Sequence, residues 1–289
     1  LNQFNMKNIF ITGVSTGIGY ATMKSLISAG YYVIGTVRKK DDADKLKTEF
    51  GDTCSILEFD VRDNTAFETE ILKITSKLEK EGLACLINNA GVAVPGPLQH
   101  ITDEEFELQM DVNVKSVRRI TNKLLPYLGT DRKYPSGKII NISSVSGLFN
   151  SPYNGSYCIS KHALESMTDI YRRELAMFGI KVSAVQPGPV KTEIWKKSKG
   201  TLDRFKDTAY GDILTTADKM IENAEKSAFE ENAVTDVIFK IIQSEHPKTR
   251  YLIHRKKLMF RLLAFYLPDR FVDKMISKTL AIKDNYRPV

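Results

Sequence analysis

Tyr157 and Lys161 have the types and spacing that most directly suggest chemistry in this 289-residue chain. Four residues apart, they share one face of any helix that spans them. A phenol titrates near pH 10 and is a poor base at neutrality, but a fixed ammonium beside it favours the ionised form. Lys161 is placed to supply that ammonium. The same spacing also describes an ordinary amphipathic pair, so the reading depends on what accompanies it. Upstream, Ile139-Ile140-Asn141-Ile142-Ser143-Ser144 reads as a buried strand running into hydroxyls. A parallel sheet presents its active-site groups at such strand ends, which makes Ser144 a candidate. Near the start, the apolar strand Lys7–Ile11 runs through Thr12-Gly13-Val14-Ser15-Thr16-Gly17-Ile18-Gly19 into a helical pattern. Its glycines allow a tight bend and close backbone approach, and the helix offers unpaired N–H groups to a pyrophosphate.

Positioning these groups requires alternating strands and helices. Hydrophobic periodicity and turn residues predict a helix over 20–29 closed by Gly30, a strand over 31–37, a polar helix over 41–50, and a strand over 54–59. A helix over about 64–80 follows, and then the strand Ala84–Ile87. Thr102 reads as a capping hydroxyl before the acidic turn Asp103-Glu104-Glu105, starting a long helix that contains Asn113. The Tyr157 helix runs to about Phe178, and strands follow over 180–185 and 250–253, with an amphipathic helix over 233–242 before the last. This alternation gives βαβ units with right-handed crossovers and an α/β fold. Arg38 ends the second strand. There a carboxylate would hold the adenosine ribose of NAD, or an arginine the 2′-phosphate of NADP. The run Arg38-Lys39-Lys40 argues for NADP, with Asp41 and Asp42 as possible ribose partners that would favour NAD.

With Asn88-Asn89-Ala90-Gly91 after one strand and Pro187-Gly188 after another, the order and spacing from residue 7 to about 192 resemble the short-chain dehydrogenase/reductase family. The resemblance implies a single Rossmann-type doubly wound parallel sheet of about seven strands, with helices on both faces and a C-terminal helical extension. It implies a cofactor site built from Gly13, Ser15, Thr16, Gly17, Ile18, Gly19, Arg38 and Lys39, with Asp60 and Val61 at the adenine. Asn89, Ala90 and Gly91 would lie along the cofactor, and Pro187, Gly188, Val190 and Thr192 would hold the nicotinamide carboxamide. Pro189 departs from that last turn by removing one N–H. In the implied mechanism Tyr157 exchanges a proton with the substrate oxygen, Ser144 holds that oxygen, and Lys161 lowers the tyrosine pKa and donates to the nicotinamide ribose. Asn113 would bend its helix around a water that links Lys161 to solvent. The family also implies a homodimer or homotetramer through helices around Glu104–Leu128 and Tyr157–Phe178.

Composition is that of an ordinary globular chain: 42% apolar, 27% charged, net charge +7. The positive excess is assigned to an anionic cofactor, and no nucleic-acid partner is expected. Cys54, Cys85 and Cys158 lack zinc-site spacing and the histidines do not cluster, so free thiols and no metal are expected. Neither a charged leader nor a run of about 20 apolar residues is present, which points to a cytoplasmic protein. Residues 193–230, with Trp195, Phe205, Tyr210 and a helix over about 215–230, read as a substrate lid. Residues 1–254 are expected to form the dinucleotide-binding domain and 255–289 its extension.

The extension carries Arg255, Lys256, Lys257 and Arg261 beside Leu258, Leu262, Phe265 and Leu267. It is expected to fold as helices over 255–280, its apolar face closing the substrate entrance and touching membrane peripherally. The tail resembles family members that act on steroids and retinoids. The leading function is therefore an NADP(H)-linked oxidoreductase for a hydrophobic secondary alcohol or ketone. The alternatives are a 3-oxoacyl-carrier reductase and a catalytically silent NADP-sensing protein.

Overall fold

The computed structural model describes residues 7–192, 201–211, 226 and 228–280. Seven parallel strands form one sheet in the order β3-β2-β1-β4-β5-β6-β7: β1 Asn8–Ile11, β2 Tyr32–Val37, β3 Cys54–Glu58, β4 Cys85–Asn88, β5 Lys138–Ile142, β6 Lys181–Pro187 and β7 Arg250–Ile253. The order reverses between β1 and β4, where Phe10 pairs with Leu86. In open α/β sheets that reversal, at the carboxyl ends of the strands, is the binding crevice.

Period-two side-chain alternation divides the core into two layers. Ile9, Ile11, Val33, Ile87 and Ile140 face α1 (Gly17–Ser28), α2 (Lys40–Phe50) and α7 (Asn232–Gln243) through Met23, Leu26, Leu46, Val234 and Ile238. Phe10, Ile34, Leu86, Ile139 and Val182 face the other way. They meet α3 (Asn64–Glu81), α5 (Ser116–Leu124) and α6 (Gly155–Glu174) through Phe67, Ile71, Leu124 and Tyr171. Burial on both faces explains why the strands are continuous apolar runs.

The expected elements form with small changes of boundary. α1 begins at Gly17, within the glycine turn, and Gly30 takes φ +83 just past its end. Thr102 makes the expected capping box with Glu105 at the start of α4 (Asp103–Met110). The long helix expected through Asn113 is divided: Asp111–Lys115 forms a π-helical turn between α4 and α5. Residue 193, Trp195 and most of the helix expected over 215–230 lie outside the described residues. The described part of the lid, 201–211, packs Phe205 and Leu202 against Ile101, Tyr153 and Tyr210.

The tail forms α8 (Lys257–Phe265) and α9 (Asp269–Thr279), and its orientation corrects the sequence reading. Leu258, Leu262 and Phe265, expected to close the entrance, are exposed. The inward residues are Leu263, buried at 8% exposure, and Phe260, whose ring lies 5.8 Å from that of Phe149 and 4.4 Å from that of His254. At 1.5 Å rise and 3.6 residues per turn, 258, 262 and 265 form one stripe, and 260 and 263 another on the opposite side.

Candidate active site

Every predicted site residue that belongs to a strand end lies at the carboxyl edge of the sheet. Tyr157 and Lys161 sit in the first two turns of α6, Ser144 follows β5, and the Asn88–Gly91 run ends β4. Lys161 is buried and donates from Nζ to the Ile142 carbonyl at 2.9 Å, which pins the ammonium against the end of β5. Its Nζ stands 5.6 Å from the centre of the Tyr157 ring. Burial pulls the Lys161 pKa down to about 8, opposed by the charge of Glu165. Burial pushes Tyr157 up to about 12, opposed by a hydrogen bond with Ser144 and reinforced by Cys158.

The expected lowering of the Tyr157 pKa by Lys161 is therefore absent from the free protein. Desolvation penalises the phenolate as well as the ammonium and dominates both shifts. At neutral pH the pair is a phenol and an ammonium, the state needed to deliver a proton to a carbonyl.

Asn113, expected to bend its helix, lies in the π-helical turn. It is buried at 1% exposure; its Oδ1 accepts from Val92 N at 2.9 Å, and its Nδ2 donates to Val92 O and to Ser160 Oγ, each at 3.0 Å. The amide side chain is thus committed to holding strand-end backbone and the catalytic helix together. Gln109, one turn earlier, donates to Val92 O and accepts from Val94 N at 2.9 Å, and Ser156 Oγ donates to Val94 O at 2.9 Å. Gln109 and Ser160 were missed in the sequence reading; the signal available was a second amide at i−4 from Asn113.

The glycine turn is built around Thr12. Its Oγ1 accepts from Asn89 N and Ala90 N, both at 2.9 Å, while Asn89 Nδ2 donates to the carbonyls of Thr12 and Gly13 at 2.9 Å. Gly13 and Gly17 hold φ of +72 and +58, and a Cβ on Gly19 would stand 2.0 Å from Gly13 O. Thr16 precedes α1 with no side-chain hydrogen bond to its first N–H groups, and no acidic residue occupies that turn. Backbone donors at Gly17, Ile18 and Gly19, beside the hydroxyls of Ser15 and Thr16, fit a pyrophosphate at the positive end of α1.

The remaining predicted residues border this crevice. Asp60 is clasped by Arg62 through Nε at 3.1 Å and Nη2 at 2.9 Å, which holds its carboxyl below the usual range with help from Arg38. Arg119 donates to the Val61 carbonyl, holding from α5 the segment expected at the adenine. Arg38 and Lys39 are exposed at the end of β2. Asp41 and Asp42 belong to the first turn of α2, where the helix dipole favours carboxylates. On the nicotinamide side, a Cβ on Gly17 would meet Thr192 at 3.2 Å, and Val190 is held by a bridge to Phe229. Gly188 follows Pro187 and packs on His254, so closely that a Cβ there would lie 2.4 Å from the ring.

A parallel sheet with a phosphate turn at its switch point and a Tyr–Lys pair on the neighbouring helix defines a nicotinamide-dependent oxidoreductase. The chain belongs to the short chain dehydrogenase family, whose profile matches residues 7–203. It is 41% identical over 276 residues to an NADPH-dependent 3-dehydrocapnine reductase of Ornithobacterium rhinotracheale, covering 95% of this chain and 98% of that protein. It is 29% identical to human retinol dehydrogenase 16, covering 96% and 89%. A short-chain dehydrogenase from Streptomyces avermitilis shares the fold with a TM-score of 0.75 at 23% identity, covering 96% of each chain. A nicotinamide dinucleotide, when bound, would supply the hydride, and the glycine turn has the backbone donors to hold its pyrophosphate. Cys54, Cys85 and Cys158 are buried free thiols, and no metal-ligating cluster occurs among the described residues.

Proposed function

We propose that the protein is an NADPH-linked reductase of a ketone on a hydrophobic substrate, with the NADPH-dependent 3-dehydrocapnine reductase of Ornithobacterium, 41% identical, in support of the cofactor and the direction. The observation that carries this is the geometry of the site: Lys161 Nζ, held on the Ile142 carbonyl at 2.9 Å, stands 5.6 Å from the Tyr157 ring beside Ser144 at the carboxyl edge of the sheet. Tyr157 donates its proton to the carbonyl oxygen, Ser144 holds that oxygen, and Lys161 compensates the developing phenolate. Arg38 and Lys39, open at the end of β2 ahead of Asp41 and Asp42 in the first turn of α2, favour the 2′-phosphate of NADPH over the bare ribose of NADH.

The apolar substrate wall is Phe149 after Ser144, Phe260 from α8 and His254 after β7. An exposed apolar stripe on α8, with Arg255, Lys256, Lys257 and Arg261 exposed around it, suits an anionic bilayer surface that stores such a substrate. No helix among the described residues is long and apolar enough to cross a membrane. Exposed Ile159, Ile170 and Met177 on and beyond α6 support a homodimer or homotetramer through this helix.

The deciding test is NADPH oxidation, with NADH in parallel, against 3-dehydrocapnine, long-chain ketones and a small ketone. Faster turnover with NADPH and the long-chain ketones is expected; no oxidation with any of them, or preference for NADH, overturns the reading. Sedimentation with liposomes of anionic and of neutral lipid tests the tail, with binding expected to the anionic ones.

A further inference from the structure

Glu165 lies one turn beyond Lys161 on the same face of α6, buried at 7% exposure. Its Oε2 accepts from Arg250 Nε at 2.9 Å, and Arg250 Nη2 pairs with Asp169 Oδ1 at 3.0 Å, so β7 is bolted to the catalytic helix through two carboxylates. The other oxygen, Oε1, is buried with no hydrogen-bond partner among the described residues, and the same holds for Ser143 Oγ, next to Ser144. Both side chains converge on Gly147. A Cβ there would lie 2.8 Å from Ser143 Oγ, 3.0 Å from Glu165 Cγ and 3.0 Å from the Lys161 carbonyl. A carboxylate has thus been packed between the serine loop and the backbone of the catalytic lysine, with one oxygen anchored and one uncommitted.

We infer that Glu165 is a positioning residue of the reaction: anchored by Arg250, it holds the Ser143–Gly147 loop against α6 and keeps Lys161 in its ammonium form. The inference rests on the Tyr157–Lys161 reading given above. An unpaired buried carboxylate oxygen is costly, and simple structural bolting would be satisfied by a neutral amide or an apolar pair. A negative charge one turn away is useful where an ammonium is being desolvated, and Glu165 is the group that opposes the downward pull of burial on Lys161. The other titratable groups within a turn of Lys161 on α6 are Tyr157, Cys158 and His162. Arg250 faces it from β7 through Glu165, with Asp169 beyond. The π turn contributes Asn113, and β5 and its loop contribute the Ile142 carbonyl, Ser143 and Ser144, none of them charged.

The test is Glu165→Gln, which keeps shape and removes charge, with NADPH affinity followed by fluorescence and kcat followed by ketone reduction, each across pH 6–10. The alkaline midpoint of both profiles should move to lower pH by about one unit, and Glu165→Asp should restore most of it. Should the single variant fail to fold because Arg250 loses its partner, the double variant Glu165→Gln/Arg250→Gln removes the pair together, and the same acid displacement is expected. Midpoints unchanged from the parent in a folded variant would overturn the inference and leave Glu165 a bolt alone. A parent that binds NADPH with an alkaline midpoint but reduces no ketone would instead overturn the proposed function, while the binding profile still decides the role of Glu165.

Discussion

Asn113 Nδ2 donates to Ser160 Oγ at 3.0 Å, so a π-helical turn in one helix is tied to the residue just before Lys161 in another. Ser160 Oγ in turn donates to the Tyr157 carbonyl at 2.8 Å. The widened turn brings a side chain inward that a regular helix would direct elsewhere, which is a recurrent use of π geometry at functional sites.

Replacing Asn113 with Ala should therefore weaken both fold and rate. It strands the Val92 N–H, while the Val92 carbonyl keeps Gln109 as a donor, costing about 1–3 kcal/mol in urea-unfolding stability. A stability change within about 0.5 kcal/mol would show that the freed N–H finds another partner.

Tyr157→Phe removes the proton donor and almost no volume. Turnover should fall about 10²–10⁴-fold while NADPH affinity stays within a few fold. Unchanged kcat would remove Tyr157 from the chemistry.

The phosphate turn tolerates no side chain at its third glycine. In Gly19→Ala the new Cβ would stand 2.0 Å from Gly13 O and 2.5 Å from Asn89 Nδ2, so the turn must open and NADPH binding should drop at least about tenfold. Gly30→Ala meets open space at φ +83 and should cost about 1 kcal/mol of stability without touching cofactor affinity. Isothermal titration of both variants makes the comparison; equal loss of affinity in both would sink it.

At the end of β2, Arg38→Asp replaces a phosphate partner with a ribose acceptor. A charge-assisted contact of about 1.5–3 kcal/mol predicts roughly a ten- to hundredfold loss of NADPH affinity and a gain for NADH. Equal binding of both cofactors by the parent protein would contradict the assignment.

The pH dependence follows from the two perturbed groups. Lys161 loses its proton near pH 8, so turnover in the reducing direction should fall above about 8, while Tyr157, near 12, stays a phenol throughout. Stability responds with the opposite sign. Between about 8 and the unperturbed 10.5 the unfolded chain holds more protons at Lys161 than the folded one, so this group's contribution to stability rises with pH. Lys161→Met should flatten that rise in thermal melts of the free protein, and an unchanged slope would show that Lys161 does not titrate there.

Much of this was legible in sequence because strand-end motifs carry their own local physics. The Thr12–Gly19 turn, the Asn88–Gly91 run and the Tyr157–Lys161 pair each combine an apolar strand or helical period with residues that need special backbone or buried partners. Long-range relationships were less readable. Nothing local at Asn113 announces that its partners are Val92 and Ser160, and Glu165 and Arg250, 85 positions apart, are joined only when β7 reaches the sheet edge. The tail was misread for a related reason: period 3.6 identifies two stripes on α8, but which one faces inward is decided by Phe149 and His254, from two other segments.

Among the described residues of α8 and α9, only Leu263 is buried, yet α8 meets the loop after Ser144 through the contact of Phe260 with Phe149. On the function proposed above, cofactor grip and proton delivery reside in the sheet edge and α6, whereas substrate choice falls to an appendage whose two helices bury a single side chain. Such a division lets mutation explore new substrates in the appendage at little risk to folding or to the hydride chemistry, so relatives of this chain can diverge in what they reduce while sharing how they reduce it.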